Sequence, residues 1–302
     1  MLHARMLSYL DEVARCGSIR KAAKGLNVSS TSINRQILAL EAQLGQPIFE
    51  RMPNRLRLTA AGEVLIEHVR ETLRNFERLQ LRLDGLKGLQ RGQLKVATTL
   101  GLAGGPIPGI VQRFLADHPG ATLDLQALFA DNLPGSTLSG ESDLALGFNL
   151  LPHPGLKTVL HYEVPIGLVV HRDHDLAGQS EGRAHNLIGY PLVLPAKNMT
   201  LRSFIDIALA RLPDMPVPVV ETNSIEMLKQ LLRDGVSVSL LNPLDVGEEI
   251  ARGELRYLPL RPATTQTLKL VARSKGMIDP LTSRFIEHLR RELDALMAGQ
   301  GG

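Results

Sequence analysis

From Ser29 to Gly45 the chain carries Ile33, Ile37, Leu40 and Leu44, spaced so that only a helix brings them to one side. At about 100° per residue the four lie within about 60° of one another and demand a core to face. Thr31, Asn34, Arg35 and Leu38 fall on the opposite side. That side begins with short hydrogen-bonding groups and one guanidinium, so nothing bulky obstructs its front end. Ser29 or Ser30 supplies the N-cap and Gly45 the stop. Such a helix has one face to bury and another fit to lie against a polar, anionic surface.

Its neighbours in sequence complete the picture. Met6, Leu7, Leu10, Val13 and Ala14 follow helical spacing; "CGS" breaks that helix, and Ser18 opens a second bearing Ile19, Ala22, Ala23 and Leu26. Asn27 to Ser30 forms the turn into the third. After Gly45, "PIFERMPNRLRLT" contains a turn signal in "MPNR" and strand-like alternation at Leu56-Arg57-Leu58. A hairpin carrying Arg51, Arg55 and Arg57 follows. Residues 1–59 thus read as a winged helix-turn-helix, whose recognition helix enters a major groove N-terminal end first. Ser29, Ser30, Thr31, Ser32, Asn34 and Arg35 would meet DNA there, while the three wing arginines grip phosphate. Arg51 bracing Glu50 or Glu41 is the structural alternative for that residue.

Charge supports the division. Residues 1–90 hold 14 Lys+Arg against 9 Asp+Glu, whereas the remaining 212 hold 20 against 22. A basic head on a mildly acidic body suggests a polyanion partner for the head. The single cysteine, Cys16, excludes an internal disulfide and fits a reducing compartment. Arg5, Asp11, Glu12 and Arg15 interrupt any secretory apolar run, and the uncharged Ala97–Gln112 is too short and Gly/Pro-rich to span a bilayer. A cytoplasmic protein with no membrane partner is expected.

"GSIRKAAKGLNVS" and "QILALEAQLGQPIFERMPNRLRLTAAG", with the helix after them, resemble the LysR-type transcriptional regulators, and the resemblance runs over nearly the whole chain. Where that family usually has Gln and Pro followed by Ser on its recognition helix, this chain has Ser30, Thr31 and Asn34. The fold carries over; the operator sequence does not, because those positions read bases.

Thr59 is a further N-cap, and from Ala60 to about Leu89 there is no proline. Leu65, Val69, Leu73, Phe76, Leu79 and Leu83 recur every three or four residues along a helix about 45 Å long. A copy of the stripe in a second chain would cover it, giving a homodimer that meets two half-sites of an interrupted palindrome. Packing on its own domain is the alternative. The resemblance further implies a homotetramer built from two dimers, and RNA polymerase is a candidate partner.

Beyond the polar "GLQRGQ" link, residues 90–302 alternate strand and helix. Strands are expected at Leu94–Ala97, around Leu123 and Leu125, and in "DLALGF" and "IGLVV"; then at Leu192–Leu194, Val217–Val220, Val236–Leu241 and in "TLKLVA". Helices follow at Ile107–Leu115, Leu201–Leu212, Ser224–Arg233 and after Asp279-Pro280. Alternation of this kind predicts parallel sheets with helices on both faces. The resemblance implies two α/β lobes like a type II periplasmic-binding protein, with crossings near His161–Val164 and Thr265–Leu268. Lobe 1 then comprises 93–162 and 267–302, and lobe 2 comprises 163–266.

Ligands in open α/β sheets bind beyond the carboxyl ends of strands, against helix N-termini. Thr98 and Thr99, Thr200 and Arg202, and Asn223 and Ser224 occupy such places, with Asn242 as an addition after "VSVSLL". Hydroxyls, backbone N–H groups and one guanidinium favour a small anionic effector. In similar proteins the first two segments line the effector cleft. Ordinary capping is the alternative for each, and Arg202 facing solvent is a further one.

No catalytic constellation, cofactor or metal site is legible. "GLAGG" at 101–105 lacks dinucleotide spacing. His171 and His174 in "HRDHD" have no Cys beside them. Cys16 reads as structural. The expectation is a DNA-binding transcriptional regulator switched by a small molecule, not an enzyme. The rival is a cytoplasmic ligand-binding protein whose head mediates protein association.

Overall fold

In the computed structural model residues 2–52, 55–86, 92–210, 212, 216–275 and 278–298 are described. The chain forms two units, Met1–Leu89 and Gln90–Gly302.

The first unit contains α1 (Leu2–Cys16), α2 (Ile19–Gly25), α3 (Ser30–Leu44), β1 (Phe49–Met52), β2 (Arg55–Leu58) and α4 (Ala60–Leu86). Ser18 caps α2 by accepting from Lys21 N, and Ser29 caps α3 by accepting from Ser32 N. Asn27, at φ 53°, makes the left-handed turn between those helices. Ala22, Ala23, Ile33, Ile37, Leu10 and Val13 share one core. Leu40 is partly buried against it, but Leu44 is 45% exposed. The expected inward stripe therefore stops one turn early: Gly45 turns the chain out through a left-handed cap at φ 72°, and the last turn of α3 overhangs the core.

Strands β1 and β2 pair antiparallel, with Glu50 opposite Arg57 and Met52 opposite Arg55. Glu41 reaches from α3 to this wing, its Oε1 accepting from Ile48 N at 2.7 Å and Phe49 N at 3.2 Å. Thr59 donates to Pro47 O at 2.8 Å and accepts from Gly62 N at 2.9 Å, so one hydroxyl caps α4 and pins the wing to it. The helix passes so near the wing that a Cβ at Gly62 would overlap the carbonyl of Ile48.

The second unit begins with β3 (Gly92–Thr99), α5 (Leu100–Gly104), α6 (Ile107–Asp117), β4 (Ala121–Leu128), α7 (Asn132–Ser139), β5 (Leu144–Phe148) and β6 (Leu156–Pro165). The second lobe contains β7 (Gly167–His171), β8 (Gly182–Arg183), β9 (Val193–Pro195), α8 (Thr200–Leu209), β10 (Val220–Thr222), α9 (Ile225–Leu231), β11 (Ser239–Leu241), α10 (Gly247–Ala251) and β12 (Leu255–Arg261). The chain returns through β13 (Thr265–Arg273) and ends in α11 (Pro280–Ala298).

The first sheet has the order β4-β3-β5-β13-β6 and the second β11-β7-β12-β8, with β9 and β10 paired beside it. Neither is all parallel, which corrects the sequence expectation. β13 runs antiparallel to both β5 and β6, and β7 antiparallel to β11 and β12. The reason is connectivity: the chain leaves the first lobe along β6 and returns along β13 at its side, with Pro165 opposite Thr265. The chain passes between lobes next to the expected segments, just after the first and just before the second, where Ile166 N–H donates to Thr264 O at 2.8 Å. Val217 and Val219 are exposed instead of forming a strand, and β10 starts at Val220.

Helices α6 and α11 cover one face of the first sheet, where the Phe114 and Phe285 rings meet edge to face at 5.1 Å. Leu133 of α7 covers the other with Ala97, Ala145 and Val271. We expect Gly62→Ala to destabilise the first unit by roughly 1–3 kcal/mol, because the methyl must displace wing backbone. Urea unfolding followed by far-ultraviolet dichroism measures it, and an unchanged midpoint would refute the close approach.

Candidate DNA-binding face and effector cleft

The front of α3 is assembled by its cap. Ser29 is spent there, its Oγ 3.1 Å from Ser32 N, so its part is to hold the helix end rather than to reach outward. With Ile33 and Ile37 buried, Thr31 and Arg35 are exposed, and Ser30, Ser32 and Asn34 are half-buried at the same end. On β2 the burial alternates: Leu56 and Leu58 turn inward, Arg55 and Arg57 outward. Arg51 stands opposite Leu56 in the register; its side chain lies outside the described residues. Glu41, the suggested brace for Arg51, is already occupied by wing amides. Arg20, Lys21 and Lys24 on α2 are also exposed, cations the sequence reading did not single out. Cys16 donates to Glu12 Oε1 at 3.1 Å, and that bond pushes its pKa up, away from the reactive thiolate.

Along α4 the apolar stripe divides. Val69 is fully buried in the head's own core and Leu65 and Leu73 pack partly against it, so Val69 is not available to a partner chain. This is the alternative packing, and it applies to the first half of the helix. Arg70 reinforces it, its Nε 2.7 Å from Asp11 Oδ1. Phe76 and Leu79 remain exposed, and the Leu83 side chain lies outside the described residues.

In the body a cleft of about 510 Å³, open mouth included, lies at the carboxyl end of β3. Thr99, Asn198, Thr200, Asn242, Asp245 and Gln266 form its polar lining. Leu100, Leu128, Phe129, Phe148 and Ile225 supply apolar walls. Thr200 begins α8, whose N-terminus has no side-chain cap. The "GLAGG" stretch runs from the second residue of α5 to its C-cap: a Cβ at Gly101 would sit 2.5 Å from Asp245 Oδ1, so glycine lets the two segments touch.

The expected residues are only partly brought together. Thr99, Thr200 and Asn242 line the cleft. Thr98 points the other way by strand alternation, buried, with its hydroxyl unpaired. Asn223 lines an adjoining hollow with Glu226, while Ser224 there is an ordinary cap, accepting from Met227 N. Arg202 is not in the cleft. It is 4% exposed, its Nε 2.7 Å from Asp206 and its Nη1 2.6 Å from Glu221 and 2.9 Å from Pro195 O. It is a structural clamp between α8 and β10, the i,i+4 pair with Asp206 drawing it inward. Without it, no Lys, Arg or His lines the cleft among the described residues, and the guanidinium expected to receive an anion is absent.

Asp245 and Gln266 were missed. Gln266 had a signal: in "TQTLKL" it shares its strand face with Leu268 and Leu270, a polar residue at a core position. Asp245 ends the turn "NPLD", where Asn242 Oδ1 accepts from Leu244 N at 3.0 Å and Asp245 N at 3.1 Å. Burial pushes the Asp245 carboxyl up to about 7, opposed by its hydrogen bond with Asn242 and the charge of Lys229. His174 is held by backbone, its Nε2 3.2 Å from Val236 O and its Nδ1 accepting from Leu176 N at 3.1 Å.

Comparison with known proteins decides the family. Residues 87–294 match the LysR substrate binding domain, and residues 4–63 match the bacterial regulatory helix-turn-helix protein of the lysR family. The chain belongs to the LysR family. This LysR-type regulator is 27% identical over 95% of its length to the HTH-type transcriptional regulator CbbR of Rhodospirillum rubrum, covering 96% of that protein. It is 26% identical to the RuBisCO operon transcriptional regulator of Acidithiobacillus ferrooxidans, covering 94% of this chain and 92% of that protein. Full-length OxyR from Pseudomonas aeruginosa shares the fold at 20% identity, TM-score 0.72, covering 96% of this chain and 94% of that one. CbnR complexed with its target DNA is 25% identical, TM-score 0.54, covering 96% and 99%. The chain is a transcriptional regulator: a DNA-binding winged helix-turn-helix head joined to a body that takes a small-molecule effector. The rival reading of the head as a protein-association module is not favoured.

Replacing Arg202 with Met is expected to lower body stability by roughly 1–3 kcal/mol, since Asp206 and Glu221 lose their buried partner but stay near solvent. Thermal unfolding measures the loss; effector-induced stabilisation should persist, whereas a direct ligand contact would lose it.

Proposed function

We propose that this regulator reads its operator with Thr31, Asn34 and Arg35 at the front of α3, and anchors it with phosphate contacts from Arg55 and Arg57. Arg51 belongs to the same wing group, and Arg20, Lys21 and Lys24 add phosphate contacts from α2. The observation that carries this reading is the split of α3, with Ile33 and Ile37 hidden while Thr31 and Arg35 face out beside a wing whose Arg55 and Arg57 also face out. Asn34 and Arg35 suit base edges, Asn for adenine and Arg for guanine, and the wing cations suit the sequence-blind backbone. Pairing of α4 through Phe76, Leu79 and Leu83 joins two heads, so the operator is an interrupted palindrome and the assembly a homodimer or a tetramer of dimers. Among the described residues no helix is long and apolar enough to cross a membrane. A DNA-binding head places the regulator in the cytoplasm, where RNA polymerase at the promoter is a further partner. Both family matches are those of a transcriptional regulator, which supports reading the chain as a non-enzyme.

Salt titration separates the two sets of residues. Arg55→Ala weakens binding to all duplexes alike and lowers the slope of log affinity against log salt by about 1. Asn34→Ala costs about 1–3 kcal/mol on the operator alone and relaxes specificity at one base pair. If Arg55→Ala altered base preference with the salt slope intact, these assignments would be wrong. Leu79→Glu in turn shifts the dimer toward monomer, raising the dissociation constant at least about tenfold in sedimentation equilibrium, since it buries charge in an apolar seam. Unchanged association would move the dimer contact elsewhere.

A further inference from the structure

The floor of the cleft holds a buried pair that the protein leaves half used. Asn242 donates from Nδ2 to Asp245 Oδ2 at 2.6 Å and to Gln266 Oε1 at 3.4 Å. Those bonds fix which atom of each partner is left over. Gln266 keeps Nε2, which has no hydrogen-bond partner although the residue is 1% exposed and lines the cleft. Asp245 keeps Oδ1, the oxygen that Asn242 Nδ2 does not engage, and it faces the first lobe at Gly101. An acceptor residue and a donor residue of the cleft lining are thus joined, through their other atoms, by one amide nitrogen.

We propose that this pair selects an effector bearing a carboxamide-type group, whose N–H donates to Asp245 and whose C=O accepts from Gln266, with its apolar part against Phe148, Leu128 and Ile225. The inference rests on the cleft being the effector site. A carboxamide satisfies both atoms. A carboxylate offers only acceptors and sets oxygen against Asp245. An amine offers only donors and leaves Nε2 unpaired, a costly state for a buried amide.

The surroundings do not rescue an anion. The cation near Asp245 is Lys229 of α9, and it is shared between Glu226 at 2.7 Å and Glu249 of α10 at 3.1 Å. Arg252, beyond α10, also spends itself on Glu249, at 3.1 Å. The β13 residue joined to Asn242 beside Asp245 is neutral Gln266, and α5 carries no titratable residue. With its carboxyl pushed up to about 7, Asp245 admits a carboxylate only by holding a proton. Carboxylate binding therefore strengthens as pH falls and weakens about tenfold per pH unit above about 7, whereas carboxamide binding, which donates to the ionised carboxyl, does not weaken as pH rises.

The test uses the full chain and three probes of one carbon skeleton: butyramide, butyrate and butylamine, titrated calorimetrically at about pH 6 and about pH 8. Butyramide should bind no more weakly at the higher pH than at the lower. Butyrate should bind at least about tenfold more weakly at the higher pH and recover at the lower one. Gln266→Glu, which keeps size but exchanges donor for acceptor, should lose butyramide at least about tenfold, and Asp245→Asn should admit butyrate at both pH values. Matched melting curves check that each variant folds. Butyrate equal to butyramide at about pH 8, or Gln266→Glu unchanged, would overturn the proposal while leaving the cleft as effector site. Silence of all three probes would overturn both.

Discussion

The pairing of β6 with β13 is the constraint on which the body depends. The chain has to leave one lobe and return to it, and it does so through two antiparallel neighbours in the same sheet. A side-by-side exit and return leaves the lobes joined by a narrow, hydrogen-bonded ribbon, which fixes the line about which they can open. It also fixes where the cleft lies. Gln266 sits one residue into β13, so an amide is delivered to the cleft by the crossing ribbon itself.

From that ribbon the rest of the site follows by contact. The turn from Asn242 to Asp245 reaches across from the second lobe, and Leu244 in it is buried in the core of the first. Glycine at 101 allows the approach; a side chain there would strike the Asp245 carboxyl. Burial of that carboxyl raises its pKa, and the raised pKa has a sign for stability. Its folded value stands above its ordinary one, so the folded state holds a proton that the unfolded chain has already lost between about 4 and about 7. Stability from this group is therefore greatest in acid and declines as pH rises through about 7, a standing cost at neutral pH that a ligand donating to Asp245 would offset.

Much of this was legible where local physics and tertiary packing agree. Ile33 and Ile37, the caps at Ser18, Ser29 and Thr59, and strand β13 in "TLKLVA" all read correctly because periodicity and capping are short-range. What failed was decided at long range. Helix α7, "NLPGSTLS", carries Pro134 and Gly135 and has no helical signature; it is held by contacts such as Arg273 Nη1 donating to Thr137 O at 2.7 Å. Arg202 looked available because Glu221, its second partner, is distant in sequence. Val69 and Leu44 erred in opposite directions, since periodicity names the apolar side of a helix but not where along the helix the covering core begins and ends.

The same limit bears on how a ligand in the body can act. A small molecule changes an equilibrium only by the difference in its affinity for two arrangements. In this chain Thr99 comes from the first lobe, Asn242 and Asp245 from the second, and Gln266 from the strand between them. A ligand that touches only one of these sources binds open and closed lobes alike and shifts nothing, however tightly it holds. A ligand spanning Asp245 and Gln266 instead ties the second lobe to the crossing ribbon, and contact with Thr99 extends the tie to the first. On the proposed selection by Asp245 and Gln266, specificity and switching reside in the same few atoms: the groups that choose the effector are those whose relative positions its binding constrains.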